Sequence, residues 1–79
     1  MKQKLLDWGF TSTVKMFDEG LEALEKSNTI VTVKVTLMNG KMNIVELDIR
    51  GNKTTIPNIT GELSLFTQLY YLGLVEVQA

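Results

Sequence analysis

The groups in this chain that could do chemistry are carboxylates, lysines and hydroxyls, because its 79 residues include neither histidine nor cysteine. Histidine is the only side chain whose ordinary pKa lies near neutrality; cysteine is the strongest natural nucleophile and the softest metal ligand. Asp18, Glu19, Glu22 and Glu25 form the densest acidic group. Hard cations need several oxygens converging from a loop or from facing elements. On the continuous helix expected at this point these four splay outward and read as a solvated face. Glu46 and Asp48 share one side of an expected strand, where a diagonal contact between Lys34 and Glu46 suits solubilising charges. Ser12, Ser27 and Ser64 have no histidine to serve as base, and nothing around them resembles a Ser–Lys site. Gly51-Asn52-Lys53-Thr54 has the wrong length and context for a phosphate loop. No catalytic residue, metal site or cofactor is expected, and the chain reads as a non-enzyme.

The elements that must hold these groups follow from periodicity. A short helix runs from Lys2 to Trp8 and ends at Gly9, a good C′ residue. Thr11-Ser12-Thr13 offers three N-caps in a row. From Ser12 to Lys26 the spacing predicts a helix, with Val14, Phe17, Leu21 and Leu24 on one stripe. Lys15, Asp18, Glu19, Glu22, Glu25 and Lys26 lie opposite, Glu22 and Lys26 in the favourable i,i+4 order. Gly20 inside it either weakens the helix or marks a close crossing with another backbone.

The period then changes to two. Val31, Val33, Val35 and Leu37 alternate with Thr32, Lys34 and Thr36, and after Asn39-Gly40 a second strand carries Val45, Leu47 and Ile49. A two-residue Asn39-Gly40 loop would set Val33 opposite Glu46 and place charge on the core side. A three-residue Met38-Asn39-Gly40 loop, with Gly40 left-handed, pairs Val33 with Val45 and Val31 with Leu47, so that register is expected. The stretch Thr36-Leu37-Met38-Asn39-Gly40-Lys41 resembles the first hairpin of ubiquitin-like proteins, over this hairpin alone, and implies no function. Gly51-Asn52 fits a second tight turn leading into Lys53–Ile56, with Ile56 opposite Leu47; the facing Arg50 and Lys53 would favour a looser turn. Pro57 ends that strand or places it at an edge.

Thr60 is the expected cap of a last helix from Gly61 to Leu72. Leu63, Leu65, Phe66, Leu69, Tyr70 and Leu72 cover about half its circumference, more than one small sheet needs, with Tyr71 on the far side. Gly73 closes it, and Leu74-Val75-Glu76-Val77 reads as a short final strand. The passage from Leu65 to Val77 resembles the recognition-helix-to-wing passage of winged-helix proteins. In those domains the hairpin follows the helix, whereas here it precedes it, and this helix has no arginine or lysine for phosphate or base contacts. The expected fold class is therefore α+β. N-terminal helices and one C-terminal helix pack on a small antiparallel sheet, made of a three-strand meander (Thr29–Leu37, Lys41–Arg50, Lys53–Ile56) plus a short C-terminal strand, in one domain spanning residues 1–79.

Eight basic and nine acidic residues give a net charge of −1, which disfavours a dedicated phosphate-backbone binder. The start, Met1-Lys2-Gln3-Lys4-Leu5-Leu6-Asp7-Trp8, has cations without the sustained apolar run of a signal peptide, and no stretch reaches the length of a membrane span. The absence of cysteine suits the cytoplasm. A 44% hydrophobic content is high for so small an interior, and mean hydropathy is +0.07. Disulfides and a Cys/His zinc site are excluded, so association is the remaining stabiliser. The expected function is a non-catalytic interaction or regulatory module that covers a partner's surface, as a homo-oligomer, of the kind phages and mobile elements use as accessory or inhibitor proteins. Its expected anchors are Trp8, Phe66, Tyr70 and Tyr71, since large aromatics dominate interfaces. The alternative is a nucleic-acid-associated regulator using a basic side of the hairpin formed by Lys34, Lys41, Arg50 and Lys53.

Overall fold

Alternation at Val31, Val33, Val35 and Leu37 produces the central strand, in which all four residues are buried and the residues between them are not. The computed structural model describes residues 1–16, 20–57, 59 and 61–76. In it a helix α1 (Lys2–Asp7) precedes five strands, β1 (Thr11–Met16), β2 (Leu21–Ser27), β3 (Val31–Met38), β4 (Lys41–Ile49) and β5 (Asn52–Thr55), followed by a helix α2 (Glu62–Tyr71). The strands form one antiparallel sheet in the order β1-β2-β3-β4-β5, a plain meander. Both helices contribute to a single core on one side of it. Leu5 of α1, Leu65 and Leu69 of α2 and Leu24, Val33 and Val35 of the sheet are fully buried together. The fold is α+β as expected, with five strands among the described residues in place of three plus one, and two helices there in place of three.

The largest departure is the helix expected from Ser12 to Lys26, whose described residues lie instead on β1, on β2 and on Gly20 just before β2. Leu24 lies opposite Val35 on the inner side, while Ala23 lies opposite Thr36 on the outer side. The inner row of β2 therefore holds Glu22, Leu24 and Lys26, opposite Leu37, Val35 and Val33. Two charges on an inner row hide the alternation that marks a strand. They are tolerated because distant groups satisfy them. The Glu22 carboxylate is 3.1 Å from the Lys2 ammonium and accepts from the Ser12 hydroxyl at 2.7 Å, and the Lys26 ammonium donates to the Trp8 carbonyl. Tertiary partners of this kind override local propensity. Gly20 stands at the turn before β2, where an added Cβ would fall 2.0 Å from Asn39 Oδ1. It is thus a close crossing between two turns, tied by Asn39 N–H donating to the Gly20 carbonyl at 2.8 Å. The expected stripe member Phe17 lies outside the described residues, with Asp18 and Glu19.

The β3–β4 hairpin solves its register problem by a different device from the expected three-residue loop. Met38 pairs with Lys41 across a two-residue turn in which Asn39 and Gly40 have φ of 53° and 80°. Both central residues in the left-handed region are what the tightest hairpin turn demands, and Asn-Gly suits it best. The slip this would impose is cancelled one step later. The register shifts between Thr36, opposite Ile44, and Leu37, opposite Met42, so Asn43 is an extra, bulged residue. Val35 then faces Val45 and Val33 faces Leu47, keeping like with like. The next turn is Arg50-Gly51 and not Gly51-Asn52, since Ile49 pairs with Asn52 and both turn residues have positive φ. Lys53 thereby pairs with Asp48 instead of facing Arg50, and Thr54, not Ile56, faces Leu47.

Segment Leu74–Glu76 is not a strand; it pairs with no strand of the sheet, and the Leu74 N–H donates back to the Leu69 carbonyl at 2.9 Å, closing the helix end. Val77, the last residue of that expected strand, lies outside the described residues, as does the expected cap Thr60.

Candidate interaction surface

Helix α2 is anchored at both ends. At its start the Gly61 N–H donates to the Ser64 hydroxyl at 3.1 Å, and that hydroxyl donates back to the Gly61 carbonyl at 2.9 Å. The Glu62 carboxylate is 3.4 Å from the Lys4 ammonium of α1. At its end the Asn28 amide donates to the Leu72 carbonyl at 3.0 Å while its oxygen accepts from the N–H groups of Ile30 and Val31. One side chain thus ties the β2–β3 turn to the helix C-terminus and fixes which side of α2 meets the sheet.

With about 100° between successive residues, Leu65, Leu69 and Leu72 share the inward side, and Leu63, Thr67, Tyr70 and Tyr71 spread over the opposite one. The burial follows: Leu65 and Leu69 are 0% exposed, whereas Leu63 is 80%, Tyr71 75% and Tyr70 49% exposed. The Tyr70 and Tyr71 rings meet edge-on at 5.8 Å. No charged side chain interrupts this outward stripe, since Glu62 is the only charged residue of α2. Leu63 and Tyr70 are both members of the wide apolar arc expected of this helix, yet both face outward; the signal is the excess width of that arc.

The other two expected anchors behave differently. Trp8 and Phe66 are half-buried, their rings 5.4 Å apart and tilted by 59°. They form one wall of an open groove of about 620 Å³ that also takes in Asp7, Lys26, Leu74 and Glu76. The structure therefore divides the four aromatics into two pairs, one knitted to the core's rim and one facing solvent.

On the uncovered side of the sheet, the basic residues are interleaved with acids. Lys34 sits in register between Glu25 and Glu46, and Lys53 opposite Asp48. A shallow depression of about 100 Å³ is lined by these residues with Thr32 and Leu47. Arg50 lies in the adjoining turn, and Asp48 accepts from the Gly51 N–H there at 2.9 Å. Lys41 begins β4 at its far end, so the four residues of the alternative basic patch are not brought together. Three of them share their end of the sheet with three carboxylates.

Glu22 and Glu25 point to opposite sides of β2, which dissolves the acidic ridge as far as it is described. Among the described residues no three acidic side chains are placed to hold a metal ion, and no helix is long and apolar enough to cross a membrane. Comparison with known proteins finds no matching family model, curated protein or solved structure.

Proposed function

We propose that this chain is a small non-catalytic interaction module that regulates by covering a surface of another protein, as a homo-oligomer, with the outward side of α2 as its contact. The observation that supports the reading is the stripe of Leu63, Tyr70 and Tyr71, exposed on a helix whose opposite side is sealed against the sheet. Monomeric surfaces scatter their exposed apolar residues, and a contiguous apolar stripe rimmed by polar residues marks an interface. Tyrosines suit the role because they contribute area at low entropic cost and keep a polar tip for hydrogen bonding. The chemistry of the chain agrees, since without histidine or cysteine its reactive groups are ordinary surface acids, lysines and hydroxyls. A cysteine-free chain also suits a reducing, cytoplasmic setting.

The test is recovery of partners from an extract of the native host by the tagged full-length chain and by Tyr71→Ala. The reading predicts a protein retained by the first and lost by the second, with both equally folded. The same proteins on both, or none on either, would contradict it.

A further inference from the structure

The outward stripe of α2 is self-complementary, and we propose that its occupant is a second copy of this chain, its α2 antiparallel to the first about a two-fold axis passing over Phe66 and Thr67. This inference rests on the reading of the stripe as a docking surface and names what docks there. Leu63 and Tyr70 are seven residues apart, which is about two helical turns or roughly 10.5 Å. Reversing a second helix about the midpoint sets Leu63 of each copy against Tyr70 of the other. That reciprocal pattern is what a two-fold interface requires. Thr67, the smallest exposed side chain near the midpoint, lets the two backbones approach there.

Charge does not oppose a like partner, so pairing of free copies is compatible with docking on another protein. A copy docking on a copy normally meets its own charges, and like-charge juxtaposition is the main obstacle to it. Here the stripe carries none. Glu62, the single charge of α2, is turned about 100° from Leu63 and is held by Lys4 of α1. The charges that would select a differently charged partner lie on the sheet, where Lys34 stands between Glu25 and Glu46.

Area sets the size class of the contact. At their observed exposures Leu63, Tyr70 and Tyr71 offer on the order of 450 Å² per copy, against a total accessible surface of 5458 Å². That is close to the tenth of a small protein's surface that an interface takes, yet two copies together fall short of the roughly 1,200 Å² of a permanent one. The pairing is therefore of the weak, reversible kind.

Sedimentation equilibrium of the full chain from about 5 µM to about 1 mM tests it. The average mass should rise from one chain toward two, while Leu63→Gln and Tyr70→Gln stay at one chain throughout with unchanged circular dichroism. Because the chain has no cysteine, Thr67→Cys should form a disulfide-linked pair on oxidation, and Asn52→Cys on β5 should not. A single chain at the highest concentration overturns the pairing; so does association that survives both glutamine variants, or equal linkage through Asn52→Cys. A strict monomer that still retains a host protein through Tyr71 overturns this pairing but leaves the docking reading standing. A strict monomer that retains nothing overturns both.

Discussion

On α2, Leu63 and Tyr71 stand 80% and 75% exposed with no charge between them, whereas on the uncovered side of the sheet Lys34 lies between Glu25 and Glu46 and Lys53 faces Asp48. Both surfaces look away from the same core. Toward β5 the sheet meets water with threonines and with charges paired across strands, whereas toward the β3–β4 turn it exposes Met38 and Ile44. Its edges are blunted as well: β5 is four exposed residues with a lysine, and β1 carries a register shift between Ser12 and Val14. The helix offers its apolar area with nothing among the described residues to cover it. The most exposed apolar side chains, Leu63 and Tyr71, share one element, while Leu6, Ile30, Met38, Ile44 and Ile49 are exposed singly elsewhere at 39% to 59%.

Substitutions on the two sides of each element test that contrast, the largest effect coming from the inner side of the sheet. Val33→Asp puts an unpaired charge at a position that is 0% exposed, and a loss of about 3–5 kcal/mol, enough to unfold much of the population, is expected in urea titration. A folded Val33→Asp protein of ordinary stability would mean that Val33 does not face the core. Leu69→Ala, on the sealed side of α2, should cost about 2–4 kcal/mol through the cavity it leaves. A thermal midpoint unchanged by it would show that α2 is not held against the sheet.

Smaller effects come from the outward surfaces. Lys34→Glu sets three acids in register across β2, β3 and β4 and should cost about 0.5–1 kcal/mol, an effect that shrinks as salt is added. If stability were unaffected at low salt, the neutralised charge ladder would not be what suits that side to water. Leu63→Ala should change stability by less than about 0.5 kcal/mol yet weaken association measurably by light scattering. The reverse outcome, a destabilised chain with intact association, would turn Leu63 from a contact residue into a packing residue.

The sequence revealed most where one side of an element is purely apolar. Val31, Val33, Val35 and Leu37 announce β3 without help, and Leu65, Leu69 and Leu72 announce α2. Residues 12–26 were misread because Glu22 and Lys26 occupy inner positions of β2, leaving only Leu24 to mark the row. The groups that make those charges tolerable, Ser12, Lys2 and the Trp8 carbonyl, lie ten or more residues away and have no local signature. The hairpin keeps the expected parity but not the expected pairs: Val33 faces Leu47 and Val31 faces Ile49, two residues beyond Val45 and Leu47, because a two-residue turn is followed by a bulge at Asn43. For the surface itself, the helical projection placed Tyr71 outside and recognised an arc too wide for the sheet. Which residues of that arc turn outward depends on how α2 is rotated, and the Asn28–Leu72 and Lys4–Glu62 contacts that set the rotation are long-range. Trp8 was legible as a large aromatic, but its packing against Phe66 was not.

The most direct measurement is a dilution series followed by amide resonances of the labelled full chain. Shifts that move with concentration should cluster on residues 62–71 and leave those of β5 and the Arg50-Gly51 turn in place. Concentration-dependent shifts centred on the sheet's charged side, or none at any concentration, would contradict the assignment of the contact to α2.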